Sequence, residues 1–324
     1  MSKIKKTFFA TLLVAILALS ACAADSPAND GDITIGIIQM MEHPALDLIR
    51  TSFLEEMTNL GYTNVVFDHR NGTGDMGSLT TISQIFVGND VDLIVAIATP
   101  AAQAAAAATS TIPIVFSGVT DPIAAGLVEN LASPSANITG VSDAIDVEGI
   151  LQFALDLLPS IQTFGFVYNL GEINSVSLIA EARDFLESQG LSYLEAPVTN
   201  TGEVQQAALS LVGNVDAFFT PTDNTVASAM PVFAQVALNA GLPIFTGADS
   251  MVHDGGLATV GIDYAIIGAE TATVVSQILG GTDISQIPVF YTTNFQPIVN
   301  LATANALGIN IDHLGDYVEL YEGN

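Results

Sequence analysis

Acidic and hydroxyl side chains gather in the short segments that follow the apolar runs of this chain, and permanent cations are nearly absent there. These segments hold Glu42, Asp75, Asp121, Asp223 and Asp249, with Thr99, Thr120, Asn174 and Ser175, against Arg70 alone. A carboxylate in such a place either caps a helix or accepts a charge-assisted hydrogen bond from a ligand ammonium. Asp75 and Asp121 are expected to be caps, and Arg70 either clamps a carboxylate or pairs with Asp68 or Asp75. Thr99-Pro100 reads as a helix start, threonine at the N-cap and proline at the first helical position. The alanine run behind it is helix-forming and slim enough to pack closely. The free N–H groups of such a start, with the helix dipole, suit a carboxylate. A purely anionic ligand would find little to hold it, so a small zwitterion is the expected ligand class.

Enzyme patterns are missing from the same segments. There is no G-x-S-x-G, no Walker lysine and no H-E-x-x-H. Gly72-Thr73-Gly74-Asp75-Met76-Gly77 satisfies G-x-G-x-x-G, but it follows the second strand. Asp92 opens the next strand instead of closing it, where a ribose would be met. His43, His69, His253 and His313 are scattered, which gives no zinc site, and His43 alone stands beside a strand-end segment. No catalysis, cofactor or metal is expected.

These segments need elements to hold them. ITIGIIQ (33–39) reads as a buried strand, and NVVFDHR (64–70), DLIVAIA (92–98), PIVFSGV (113–119) and ITGVS (138–142) as the strands that follow. Between them lie a helix from Pro44 with Leu46, Ile49, Phe53, Met57 and Leu60 on one face, a helix over 75–88, the alanine helix and a short helix after Pro122. A second series begins with the helix carrying Val147, Ile150, Leu151, Ala154 and Leu158. It continues through TFGFVYN (163–169), a helix over 174–189, LSYLEA (191–196) and a helix after Gly202. DAFFTP (216–221), a helix over 224–240, PIFTG (243–247), LATVGID (257–263) and a helix over 264–279 follow. PVFYTTNFQPIVN (288–300) is extended, and a last helix spans 301–307. Apolar strands alternating with helices imply parallel sheets covered on both faces, and in such sheets ligands bind beyond the strand carboxyl ends. Phe116, Tyr168, Phe219, Phe245 and Tyr264 stand near strand ends as candidate walls of an apolar pocket.

The fold class expected is α/β: two doubly wound parallel-sheet lobes joined by hinge crossings near Ser142 and Tyr291. Lobe 1 is expected to comprise residues 33–142 plus 292–324, and lobe 2 residues 143–291. Residues 1–21 carry Lys3, Lys5 and Lys6 ahead of an apolar run from Phe8 to Leu19, which is too short to span a bilayer and reads as a secretory signal. Leu19-Ser20-Ala21-Cys22 resembles a bacterial lipobox, which implies cleavage and lipidation at Cys22, the sole cysteine, with 22–32 as a tether. Loss of the signal removes all three lysines and leaves Arg50, Arg70 and Arg183 against 34 acidic residues. Such a chain excludes nucleic-acid binding, which needs cations for phosphate. It also suits an external setting of high salt or low pH, where a surface of one sign repels itself less.

The motifs QMMEHPALD, NGTGDMGS, IATPAAQ, GVTDPIAAGLV, NITGVSD, YNLGEINS, PTDNTVASA and DGGLATVGIDY together resemble the type I periplasmic-binding-protein fold. More closely they resemble the tryptophan/tyrosine-type substrate-binding proteins of ABC transporters. The resemblance implies a lipid-anchored, extracytoplasmic, monomeric protein, tethered to the membrane only through its lipid. It would capture an amino-acid-like solute, aromatic in some members, and deliver it to a permease with its ATPase. On that reading Thr99, with Ser175 from the second lobe, receives the ligand carboxylate and Asp223 the ammonium. Glu42, Thr120 and Asn174 are second choices, and Tyr168 or Phe116 stacks on the side chain. A ligand sensor for a signalling partner would show the same pocket, and a secreted enzyme is the weaker alternative.

Overall fold

The computed structural model describes residues 33–134, 137–293 and 295–323. The signal, the tether and Cys22 lie outside the described residues. Thr34–Asn324 form one unit containing two sheets.

In the first sheet, β1 (Ile33–Gln39), β2 (Val65–Asn71), β3 (Leu93–Ile97), β4 (Ile114–Ser117), β5 (Ile138–Ser142) and β11 (Phe290–Tyr291) lie in the order β11-β5-β4-β3-β1-β2. Strands β1, β3, β4 and β5 are buried almost throughout, as their unbroken apolar runs require. At Gly36 on β1 a side chain would collide with the Phe86 ring, 2.8 Å from an added Cβ. Register aligns Gln39 with Ile97, Ile97 with Ser117 and Ser117 with Val141. The residues just beyond β1, β3, β4 and β5 therefore stand in one row along the sheet's carboxyl edge.

The second sheet comprises β6 (Thr163–Asn169), β7 (Ser192–Val198), β8 (Ala217–Thr220), β9 (Ile244–Thr246), β10 (Ala258–Gly261), β12 (Gln296–Asn300) and β13 (Glu319–Tyr321), ordered β13-β12-β10-β9-β8-β6-β7. Phe166 and Phe219 meet edge to face in its core, with Phe164 against Phe245. In both sheets the order reverses beside the first strand, between β1 and β3 and between β6 and β8. Those are the switch points at which open α/β sheets bind ligands.

The helices are α1 (Pro44–Asn59), α2 (Met76–Gly88), α3 (Thr99–Ala108), α4 (Val147–Leu157), α5 (Ile173–Ser188) and α6 (Val204–Leu211). They continue as α7 (Asn224–Ser228), α8 (Met230–Ala240), α9 (Asp249–His253), α10 (Tyr264–Leu279) and α11 (Leu301–Leu307). Two local expectations change. Residues 122–127 form turns, with no helix after Pro122, and the 224–240 helix breaks at Ala229 ahead of Pro231.

The division between lobes also differs from expectation. Helix α10 packs along α1 and against β4 and β5, and β11 pairs with β5, so residues 264–291 belong to the first lobe. Gly268 permits this contact, because a Cβ there would lie 2.4 Å from the Ile49 carbonyl oxygen on α1. Strand β12 then pairs antiparallel with β10, and β13 runs parallel to β12, which places 296–321 in the second lobe. The antiparallel sense follows from the path: the chain re-enters the second sheet from the carboxyl edge, after returning from the first. The chain thus crosses between lobes three times, near 143–146, 262–264 and 292–295.

Candidate functional site

Facing strand-end segments of the two sheets line a common space between the lobes. The first lobe contributes His43 and Leu46 from the start of α1, Thr99 from α3, Thr120 after β4, Asp143 after β5 and Tyr264 from α10. The second contributes Asn174 at the start of α5, Thr222, Asp223 and Asn224 after β8, and Ser250 and Met251 on α9. No lysine or arginine lines it among the described residues.

The lobes are closed on this space. His43 Nε2 lies 3.1 Å from Asn224 Oδ1, Thr120 Oγ1 lies 3.1 Å from Thr222 Oγ1, and the Ser177 hydroxyl donates to Asp121 Oδ2 at 3.3 Å. Behind His43, Glu172 is buried and heavily bonded. It accepts from the Asn224 and Thr225 N–H groups, from Asn224 Nδ2 at 2.6 Å and from Thr225 Oγ1 at 2.8 Å. This carboxylate completes the start of α7, where N–H groups have no partner inside the helix.

Asp223 caps the same helix. Its Oδ1 accepts from Val226 N–H at 2.8 Å and its Oδ2 from Asn169 N–H at 2.6 Å, and Ser175 also bonds it. Burial, then the nearby Glu172 charge, raises its carboxyl above the ordinary range. Asp223 thus borders the space with both oxygens engaged by backbone. Asp143 differs. It is 5 % exposed, and the side chains that donate to it are hydroxyls, Thr120 Oγ1 at 2.9 Å and Tyr264 OH at 3.3 Å, beside its own backbone N–H. Burial raises its carboxyl, and the two hydroxyl bonds offset only part of that rise. The Tyr264 phenol is pushed well up by burial and by Asp143 beside it.

The helix start at Thr99 is not built as expected. Ala98 occupies the N-cap with φ +80° and ψ 156°, a backbone region almost confined to glycine, and Thr99 and Pro100 are the first helical residues. The Thr99 hydroxyl therefore caps nothing. Among the described residues four buried side-chain atoms have no partner: His43 Nδ1, Thr99 Oγ1, Asn174 Oδ1 and Thr220 Oγ1. The first three belong to residues that line the space.

Of the candidates read from sequence, Thr99, Thr120, Asn174 and Asp223 converge here and four do not. Glu42 is exposed, and Ser175 is fully buried behind the wall in the first turn of α5. Phe116 is core on β4. Tyr168 donates to Glu195 Oε2 at 2.7 Å and accepts from Arg183 Nη2 at 3.2 Å, which ties its polar end to the β6–β7 side. Arg70 pairs with Asp68 at 3.0 Å, Asp75 caps α2 as expected, and Asp121 caps a local turn. Asp143, Glu172, Thr222 and Asn224 were not singled out from sequence. Asp143 stands one residue past β5 and obeys the same strand-end rule, but that strand read as a hinge. Among the described residues no group of side chains is placed to hold a metal, and no helix is long and apolar enough to cross a membrane.

Comparison with known proteins decides the family. Residues 34–314 match the ABC transporter substrate binding protein family. The chain belongs to that family. It is 36% identical over 276 residues to the tyrosine-binding protein of Clostridioides difficile strain R20291, covering 84% of this chain and 80% of that one. Among solved structures it is similar to a conserved domain protein of Vibrio cholerae, with 37% identity, a TM-score of 0.85, and coverage of 87% of this chain and 97% of that one. An ABC domain from Streptococcus pneumonia in complex with L-Trp gives 35% identity, a TM-score of 0.85 and the same coverages. A ligand-free, open substrate-binding protein with adhesive properties from Clostridium difficile is also 35% identical, covering 90% of this chain and all of that one, but its TM-score is 0.69. The lower score against an open form agrees with the bonds between lobes seen here. These relatives also carry the two-lobed type I periplasmic-binding-protein fold, and the substrate-binding family is one of receptors, not catalysts.

Proposed function

We propose that this substrate-binding protein is an extracytoplasmic receptor, lipid-anchored at Cys22 and monomeric, that captures one zwitterionic amino acid between its lobes. It delivers that ligand to an ABC permease and its ATPase. The observation that carries the reading is the convergence of three unpartnered buried polar atoms and one cation-free carboxylate on a single interlobe space. Buried polar groups are rarely left unpaired, so the space requires a ligand that supplies donors to Asp143 and Asn174 Oδ1 and an acceptor to Thr99. An α-amino acid carries both within one small group.

The ammonium is assigned to Asp143, because the Asp223 oxygens already serve backbone N–H groups. The carboxylate goes to the start of α3, where the Thr99 hydroxyl and first-turn N–H groups meet the positive end of the helix dipole. Thr120 holds Asp143 in place, and Leu46 and Met251 offer apolar surface to the side chain. The relatives named for tyrosine and solved with L-Trp support an aromatic side chain. Calorimetric titration of the purified protein with the common amino acids tests the reading. Saturable binding of at least one aromatic amino acid, lost on N-acetylation of that ligand, is expected. Absence of binding across the panel overturns it.

A further inference from the structure

We propose that His43 is a specificity-determining residue: its Nδ1 accepts a hydrogen bond from a donor on the ligand side chain, so the protein selects a phenol hydroxyl or an indole N–H over a plain phenyl ring. The inference rests on the amino-acid reading above. It starts from the chain of bonds behind the imidazole. Glu172 Oε2 takes the Asn224 Nδ2 hydrogen at 2.6 Å, which turns the amide oxygen of Asn224 toward His43 Nε2 at 3.1 Å. An amide oxygen only accepts, so Nε2 carries the hydrogen and Nδ1 carries the lone pair. His43 is 7 % exposed and that lone pair has no partner among the described residues. Burial lowers the imidazole pKa and keeps the ring neutral, against the opposing pull of Glu172, Asp47 and Asp254.

Strand order then separates this acceptor from the ammonium site. His43 follows β1 and Asp143 follows β5, with β3 and β4 between them. Three strand spacings correspond to ~14 Å along the sheet edge. Thr99, beyond β3, lies between the two. An amino acid whose ammonium is on Asp143 and whose carboxylate is on α3 therefore directs its side chain toward the β1 end. There Ala45 and Leu46 line the space together with His43. A side chain that is apolar along its length and ends in one hydrogen-bond donor satisfies this end. A phenyl ring leaves the Nδ1 acceptor buried and unpaired, which is costly.

Isothermal titration of the purified protein against two ligand pairs tests the proposal. L-tyrosine is compared with L-phenylalanine, and L-tryptophan with 3-benzothienyl-L-alanine, in which sulfur replaces the indole N–H. For whichever pair binds, the donor-bearing member is expected to bind roughly ten- to a hundredfold tighter. His43→Leu is expected to bring that ratio to within threefold of one. Loss of the His43–Asn224 bond weakens closure for every ligand alike, so the ratio reads the side-chain contact and a general effect on closure does not move it. A wild-type ratio near one overturns the proposal even if the variant fails to fold, as does a ratio that survives His43→Leu. Failure of all four ligands to bind instead overturns the amino-acid reading, and this inference with it.

Discussion

Replacing Asp143 by asparagine should move affinity and stability in opposite directions. The carboxylate is 5 % exposed and held by two hydroxyls, with no cation lining the space among the described residues. With a ligand ammonium it would form a desolvated charge pair. Removing one member of such a pair costs about 2–5 kcal/mol, or roughly 30- to 5,000-fold in Kd. Without ligand the same carboxylate is an uncompensated buried charge. Asparagine keeps its shape, its Oδ1 can accept from one hydroxyl, and its Nδ2 can donate to the other. The empty variant should therefore melt at the wild-type temperature or above it. Calorimetric titration with the tightest-binding amino acid, beside thermal unfolding of the empty protein, reads both quantities. A Kd within threefold of wild type would refute the ammonium assignment. A marked fall in the melting temperature would show that Asp143 serves the fold instead.

Glu172→Ala should behave in the opposite way, because it strips acceptors from the buried Asn224 and Thr225 N–H groups; a loss of roughly 2–4 kcal/mol is expected in urea unfolding. Ala98→Gly should relieve the backbone strain at φ +80° and raise unfolding free energy by about 1 kcal/mol. Thr99→Val removes a hydroxyl that caps nothing, so ligand affinity should fall about tenfold in the same titration with the melting temperature unchanged. Acidification should stabilise the empty protein. Burial raises the Asp143, Asp223 and Asp249 carboxyls, so their stabilising share is complete below the ordinary carboxylate range and lost as pH rises through the raised values. His43 and His69, lowered by burial, act in the other sense, contributing above the ordinary imidazole range and losing that share as pH falls through their lowered values. Calorimetric scans at fixed ionic strength should show the melting temperature rising from neutral pH toward pH ~5, less so in Asp143→Asn; a falling profile would contradict an excess of buried uncompensated acids.

Strands, most helices and the rule that ligands sit beyond strand ends were legible in the sequence, because each depends on residues close in the chain. An apolar run such as LIVAI can satisfy neither face in water and must be covered on both sides. The proline at 44 and the glycine at 61 bound a helix through local backbone geometry alone. The same locality placed Thr99, Thr120, Asn174 and Asp223 at one space.

Tertiary structure decided what those residues do there. Asp223 looked free in the sequence, yet the Asn169 N–H that occupies one of its oxygens is 54 positions away. Thr99 looked like a cap until the packed turn forced Ala98 into that role and left the hydroxyl open. The lobe to which α10 belongs depends on Gly268 meeting the α1 backbone, a contact between segments more than two hundred residues apart. The sequence by itself determined the class of protein and the strand ends that line the space between its lobes. Only the folded chain settled which of those side chains are already partnered, because each partner comes from a different strand, helix or lobe.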